Sequence, residues 1–429
     1  MMTSHEHAAT RTAGSTNGRA GQGHSPGWVD RLVAPMARRR LMDALAGWQA
    51  GRVTVHLPDG TEIVAGRADA EPHATLWIER DAFFRKFALG GDLGAGESYM
   101  DGDWRTDDLA RFVELVLRNQ SHLPLASPLS RLANLSNDLL HRLRRNTRDG
   151  SRRNIHAHYD LSNALFETFL DPSMAYSSAV YTGEADTLED AQAAKFAAWA
   201  GRLALGPTDH VLEIGSGWGG FAMHAARTYG CRVTGITVSA EQLALSRDRV
   251  RAAGLEHLVD LRLCDYRDVT GQFSRVISIE MIEAVGREYW PAFFRKIDEV
   301  LAPGGRVGLQ AITMVDHRFD DYAKHCDWIQ KYIFPGGLLP SLREISTVMT
   351  RHTRLGVIGL EDRPLDYART LRDWRGRFLE RLDEVRALGF DDRFVRMWEY
   401  YLATCEAAFR TRDLGLLHLT LARAGDDLR

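Results

Sequence analysis

The segment EIGSGWGG, residues 213–220, places Gly215, Gly217, Gly219 and Gly220 directly behind the apolar run HVLEI. Glycines at a strand-to-helix turn allow positive φ and let a ligand approach the backbone closely. The spacing G-x-G-x-x-G suits a loop that holds a nucleotide-type cofactor, although alone it is a weak signal. A dinucleotide site also wants an acid about 20 residues further on for a ribose hydroxyl. Here the next β-branched run ends in ITVSAEQ, with no acid at its tip. Upstream, YSSAVY (176–181) sets two serines between aromatic residues, and Ser178 raises the question of whether it serves the same site.

Glu213 stands two residues before the first glycine. An acid followed by G-x-G is the usual look of S-adenosylmethionine (SAM) methyltransferases of the doubly wound class. SAM is therefore preferred to a nicotinamide cofactor.

The elements that must position this loop follow from periodicity. HVLEIG, CRVTGITVS, LVDLRLCDY, SRVISIE and GRVGLQAIT read as strands, the last three as buried ones. RLGVIGLEDR and LGLLHLTLARA complete a set of seven. AEQLALSRDRVRAAG reads as a helix with a glycine C-cap, and YWPAFFRKIDEVLAPGG as the helix before GRVGLQAIT. Residues 367–390 and 391–412 also look helical. Strands alternating with helices predict an α/β fold, a doubly wound, mostly parallel sheet. Ahead of it, RVTVHLPDGTEIVAG alternates around Pro58-Asp59-Gly60 and predicts a hairpin. ATLWIER adds a strand. GAGESYMDGDW looks turn-like, and TDDLARFVELVLRN looks helical after its Asp/Thr start.

These readings divide the chain into a disordered stretch 1–26, a small α+β domain 27–125, a basic linker 126–155 and a catalytic domain 156–429. The first 26 residues are rich in Gly, Ser, Thr and Ala and poor in large apolar side chains. Residues 141–156 hold six arginines and one acid, which fits either a solvated linker or a contact with an anionic surface. The net charge of −3 over 429 residues argues against a wholesale nucleic-acid binder. No apolar run is long enough to span a bilayer. Cys231, Cys264, Cys326 and Cys405 show no metal spacing and suit a reduced, cytoplasmic protein.

The flanking sequence is more specific. HYDLSNALFETFLDPSMAYSSAVY and TLEDAQAAKF precede the loop; TVSAEQ, DYRDV, EMIEAVG and WIQKYIFPGGLLPS follow it in order. With GESYMDGDW, they closely resemble the cyclopropane-fatty-acyl-phospholipid synthase family from about residue 90 onward. SIEMIEAVG and QAITM resemble most an actinobacterial branch that makes methyl- or methylene-branched stearate. The resemblance implies a class I SAM methyltransferase fold with a seven-stranded sheet and a small lipid-side N-terminal domain. It implies cofactor contacts at Tyr176, Ser177, Glu213, Gly215, Gly217 and Gly219. Thr237 and Gln242 would take the ribose side, and Asp265 and Tyr266 the adenine end.

The family also binds a bicarbonate ion, and the carry-over gives Ser178, Glu283, Gln310, Ile312 and Tyr367 as its holders. Two depart from the usual pattern: position 178 is usually Cys, and position 310 usually His. Ser keeps a small hydrogen-bonding group, whereas Gln cannot change charge near neutral pH as His can. His158 and Tyr159 either shape the lipid entrance or brace a helix. The implied reaction carries a methyl carbon from SAM to the double bond of an unsaturated phospholipid acyl chain, with bicarbonate as the base. The expected product is a cyclopropane; the alternative is a methylene- or methyl-branched chain, with a separate flavin-type reductase. A peripheral location on the inner membrane face, through the arginine run, and a homodimer are further expectations.

Overall fold

The computed structural model describes residues 28–121 and 162–427. The stretch 1–26, the arginine run, His158 and Tyr159 lie outside the described residues. Helix α1 (Trp28–Ala46) leads into a four-stranded sheet ordered β2-β1-β3-β4. β1 (Arg52–His56) and β2 (Glu62–Gly66) pair antiparallel across the Pro58-Asp59-Gly60 turn. β3 (His73–Ile78) runs parallel to β1. The alternation in β1 turns Val53 and Val55 inward. Helix α2 (Ala82–Met100) precedes β4 (Trp104–Thr106), which pairs antiparallel with β3. Helix α3 (Leu109–Arg118) follows, its first turn capped by Asp108, which accepts from the Arg111 N–H.

One expectation is corrected here: GAGESYM is not a turn but the last part of α2. Its glycines serve close packing. A Cβ on Gly94 would fall 2.0 Å from the Lys86 carbonyl oxygen, and one on Gly96 would fall 2.6 Å from the Trp328 ring. The bend in α2 lies earlier, at Gly91, whose φ is +62°.

Helices α4 (Asn163–Glu167) and α5 (Leu188–Leu203) lead into the large sheet. Its chain order is β5 (His210–Ile214), α6 (Gly220–Tyr229), β6 (Arg232–Thr237), α7 (Ala240–Ala252), β7 (Val259–Leu263), β8 (Phe273–Ile279), α8 (Trp290–Val300), β9 (Leu301–Met314), α9 (Asp316–Tyr322), α10 (Trp328–Tyr332), α11 (Leu342–His352), β10 (Leu355–Asp362), α12 (Pro364–Glu380), α13 (Leu382–Ala387), α14 (Asp392–Arg410) and β11 (Leu414–Arg423). In space the seven strands run β10-β11-β9-β8-β5-β6-β7. β5 to β9 are mutually parallel, and β11 pairs antiparallel with β9 and β10.

This is the class I SAM methyltransferase architecture, a mostly parallel sheet with helices on both sides. Neighbouring residues of β5 serve opposite faces. Val211 packs with Phe196, Trp199 and Phe221, whereas Leu212 packs with Phe293, Phe294 and Ile297. LVDLRLCDY was expected as a buried strand, but β7 is a sheet edge and buries only Val259 and Leu261. On the other side of the fold, α14 packs on α2, α3 and α12, so one aromatic core runs from the small sheet to Trp374 and Trp398.

β5 and β8 are neighbours in the sheet, with β6 and β7 continuing one way and β9 the other. Parallel sheets place ligands beyond the carboxyl ends of strands at such a switch point. The loop after β5 and the residues after β8 therefore share one crevice.

Candidate active site

A cavity of about 480 Å³ lies at that crevice, and the glycine loop forms one wall. Gly217 has φ +50°, and a Cβ built on it would meet nothing within 4 Å among the described residues. The backbone there faces open space. Gly215 is different: its Cβ would come within 2.9 Å of Met281. Three buried polar atoms around the loop have no partner among the described residues: Glu213 Oε2, Ser216 Oγ and Tyr266 OH. Buried polar groups are almost always satisfied, so orphans grouped around an open glycine loop fit a polar ligand that supplies the partners. SAM, with its amino-acid, ribose and adenine groups, is such a ligand.

Burial pushes the Glu213 carboxyl up to about 8 against the opposing charge of Lys195. Thr237 Oγ1 donates to Gln242 Oε1 at 3.0 Å, and both line the cavity. Tyr266 lines it too. Asp265 does not: its carboxylate accepts from the backbone and guanidinium of Arg267 and caps the short turn 266–268. Gly219 likewise stands behind the wall, at the N-terminus of α6.

Tyr176 and Ser177 do belong to the cavity wall. The hydroxyls of Tyr176 and Tyr401 share a hydrogen bond at 2.9 Å, and the Tyr176 ring packs between Phe166 and Trp374. Ser177 Oγ accepts from Lys195 Nζ at 2.7 Å. Lys195 is wholly buried on α5, and burial lowers its pKa to about 8 while the carboxylates of Glu280, Asp171 and Glu213 oppose that shift.

The second wall holds two acids beyond β8. Register sets the first in place: Ile279 pairs with Gln310 on β9, and Glu280 follows by one residue. Its Oε1 accepts from the Ser178 N–H at 2.9 Å and from Gln310 Nε2 at 2.7 Å. Its Oε2 accepts from the Tyr367 hydroxyl at 2.7 Å. Gln310 is oriented in turn, since its Oε1 accepts from Trp199 Nε1 at 2.9 Å. Glu280 Cα sits at φ +50°, a left-handed conformation that side chains rarely adopt. Burial raises its pKa while its three donors and Lys195 work the other way.

The second acid, Glu283, accepts from the Ile312 N–H at 2.6 Å through Oε1. Its Oε2 has no partner among the described residues. Burial, reinforced by the charge of Glu280, pushes its pKa up to about 8.

The structure thus brings all five expected bicarbonate holders to one place, yet three of them hold Glu280. Ser178 contributes its backbone N–H there, while its hydroxyl donates to the Ala179 carbonyl at 3.0 Å and is fully buried. Gln310 is also fully buried behind the wall. Ile312 N–H is taken by Glu283. This arrangement does not fit a bicarbonate ion held by the same groups. Sequence reasoning passed over Glu280 and Lys195. Glu213 was flagged by the G-x-G that follows it, whereas SRVISIE ends in Glu280 with no such loop behind it.

Comparison with known proteins shows the family. The family model described as mycolic acid cyclopropane synthetase matches residues 146–419. This chain belongs to that family. It is 42% identical to the tuberculostearic acid methyltransferase UfaA1 of Mycobacterium tuberculosis, over 89% of this chain and 92% of the relative. It is 38% identical to the cyclopropane-fatty-acyl-phospholipid synthase of Escherichia coli (strain K12), over 82% and 88%. Among solved structures, the mycolic acid cyclopropane synthase CmaA1, complexed with SAH and CTAB, superposes with a TM-score of 0.59 at 28% identity. That match covers 63% of this chain and 97% of CmaA1. As a member of the cyclopropane synthetase family, the chain is a SAM-dependent methyltransferase of the cyclopropane synthase type. Its chemistry is the methylation or cyclopropanation of fatty acyl chains.

Proposed function

We propose that the protein transfers the methyl carbon of SAM to the double bond of an unsaturated phospholipid acyl chain and releases a methylene-branched chain, which a separate reductase saturates to a methyl branch. The observation that carries the reading is the continuity of the cavity. It joins Gly217 to Glu280 and Glu283 and runs on past Ile312 and Leu414 to Leu117 of α3, in the small N-terminal unit. An extended acyl chain can lie along that path with its double bond facing the loop. The wall there also carries Asp92 and Asp327, and burial raises both, Asp327 to about 6.

Bound SAM would supply an electrophilic methyl group on a sulfonium. An alkene is a weak nucleophile, so the protein's task is to hold it in line in a dry pocket, a positioning effect. Gly215 and Gly217 would seat the cofactor's amino-acid part. The ring of Tyr176 closes the cavity beside it. After methyl transfer the positive charge lies on the acyl chain, where the Tyr367 and Tyr401 rings and the Glu280 carboxylate form the wall. A 1,2-hydride shift followed by proton loss from the new methyl gives the methylene. Direct proton loss from that methyl closes a cyclopropane.

The methylene outcome rests on the 42% relative, named for tuberculostearic acid, which matches over a larger share than the 38% relative. That second relative supports the cyclopropane as the other reading. Both span much more of this chain than CmaA1 does, which favours a phospholipid substrate that engages the N-terminal unit. No described helix is long and apolar enough to cross a membrane, and the arginine run at 142–153 is the proposed contact with anionic lipid. The test is gas chromatography of acyl methyl esters after incubation of the protein with SAM and vesicles of monounsaturated phospholipid. A SAM-dependent methylene product supports the proposal. A cyclopropane alone selects the second reading, and unaltered chains in every lipid tried contradict both.

A further inference from the structure

We infer that Glu280 is the general base of the reaction, a carboxylate carried by the chain itself in the place where the family's pattern calls for a bicarbonate ion. This rests on the alkylation reading above. Three independent features of the site point to it.

The first is the hydrogen bonding. A planar carboxylate needs donors on both oxygens and an open edge toward the substrate. Glu280 receives Ser178 N–H and Gln310 Nε2 on one oxygen and the Tyr367 hydroxyl on the other, and it lines the cavity. A bicarbonate ion offers the same CO₂⁻ group, so the donors that would hold the ion are the donors that hold Glu280. The neutral side chains at 178 and 310 agree with this. A Gln at 310 gives one oriented donor, fixed by Trp199, and adds no second positive charge beside Lys195.

The second is the backbone. Glu280 is one of four described non-glycine residues with positive φ. Such a conformation is strained for a side chain, and strained residues of this kind gather at functional sites. A structural acid has no need to be there, since glycine takes the same conformation without strain. The strain is accepted and the carboxylate is delivered to the cavity.

The third is the division of labour with Glu283. Two acids at one site push each other's ionisation apart. Glu283 has only backbone N–H donors and, among the described residues, one bare oxygen, and burial beside Glu280 raises its pKa to about 8, so it is the member that keeps a proton near neutral pH. Glu280 has three donors and the charge of Lys195 nearby, which favour its charged form against the burial that raises its pKa.

The step balances without any further reagent. The C–S bond breaks as the C–C bond forms, and the sulfur leaves as a neutral thioether. The cation on the chain then loses a proton from the new methyl group to a Glu280 oxygen. The C–H electron pair becomes the methylene π bond, or the third ring bond of a cyclopropane. The proton leaves Glu280 for water once the product has gone.

The experiment has two arms. In the first, turnover on monounsaturated phospholipid vesicles is measured in CO₂-free buffer with and without added bicarbonate. We expect the wild type to turn over equally in both. Glu280→Gln should lose about 100-fold or more, in the usual range for a removed base, with SAH affinity within about twofold of wild type. Glu280→Gly guards against a folding defect: it relieves the positive φ, so its melting temperature should hold or rise. It should lose turnover in CO₂-free buffer and regain part of it with bicarbonate or formate, which would enter the vacated donors. In the second arm, ¹³C-bicarbonate binding to the SAH complex is followed by NMR and needs no turnover. The wild type should not bind, and Glu280→Gly should. Bicarbonate binding by the wild type, a wild-type requirement for bicarbonate, or full turnover by Glu280→Gln would each overturn the inference. Absence of any alkylated lipid would instead strike the proposed function, and the binding arm would still decide on Glu280.

Discussion

The two walls of the cavity are built on opposite principles. Around the glycine loop, Glu213, Ser216 and Tyr266 each leave a buried polar atom without a partner among the described residues, and Gly217 faces open space. Beyond β8, the Glu280 carboxylate is met by three donors, and its neighbours are oriented by Trp199 and Ile312. Unmet polar groups mark the wall that waits for a ligand. A carboxylate with donors on both oxygens marks the wall that the chain has assembled for itself. Lys195 joins the two, donating to Ser177 while its charge acts on both Glu213 and Glu280.

The largest effect is expected where the comparison is starkest. Gly217→Asp would set a Cβ at a positive φ and a carboxylate into the space for the cofactor's own carboxylate. SAH binding measured by calorimetry should fall at least about 100-fold, well beyond one hydrogen bond. Unchanged affinity in a folded variant would remove the ligand-waiting wall from the account.

The link between the walls comes next. Lys195→Met removes the buried cation that faces Asp171, Glu213 and Glu280. Leaving buried charges unpaired typically costs about 3–5 kcal/mol. Chemical denaturation should show a loss of that order, and a loss below about 1 kcal/mol would mean the two walls are not coupled through this residue.

A smaller effect separates the two acids. Glu283 has a folded pKa of about 8, above its unfolded value. The folded state therefore holds an extra proton between the ordinary carboxylate range and pH 8, and stability falls as pH rises through that window. Glu283→Gln keeps an oxygen for the Ile312 N–H but does not titrate. Its melting temperature should decline less than that of the wild type between pH 5 and 8, by up to one proton's worth of linkage. Parallel curves would refute the protonated assignment.

The smallest effect is expected at Ser178. Among the described residues its hydroxyl reaches only the Ala179 carbonyl, while its backbone N–H holds Glu280. Ser178→Ala keeps that N–H, so the cost should be about 0.5–1.5 kcal/mol and at most roughly a tenfold change in rate. A loss as large as that of Glu280→Gln would make the hydroxyl a reacting group.

The difference between the walls also explains what the sequence could reveal. The loop is local: strand, glycines and helix are consecutive, so EIGSGWGG announced both its backbone and its role. The seven strands were legible for the same reason, each as a local apolar, β-branched or alternating run. The Glu280 site is assembled from residues 178, 280, 310 and 367, and only folding brings their atoms within 2.7–2.9 Å. Resemblance pointed to the neighbourhood but assigned the donors to an ion. Glu280 itself read as the tail of a strand beside the more familiar Glu283. Lys195 drew no reading of its own, because nothing in TLEDAQAAKF tells that its ammonium ends among carboxylates. GAGESYM misled in the other direction. Its glycines suggested a turn, and the tertiary contacts that demand them, with Lys86 and Trp328, are invisible in one dimension.

The most direct test of the account follows the methyl group. Protein, monounsaturated phospholipid vesicles and SAM carrying a trideuterated methyl would be incubated, and the acyl products read by mass spectrometry. The account has a base in the second wall take a proton from the new methyl, so the product should keep two of the three deuterium atoms, whether methylene or cyclopropane. A product that keeps all three would show that the proton leaves from elsewhere on the chain and would contradict the account.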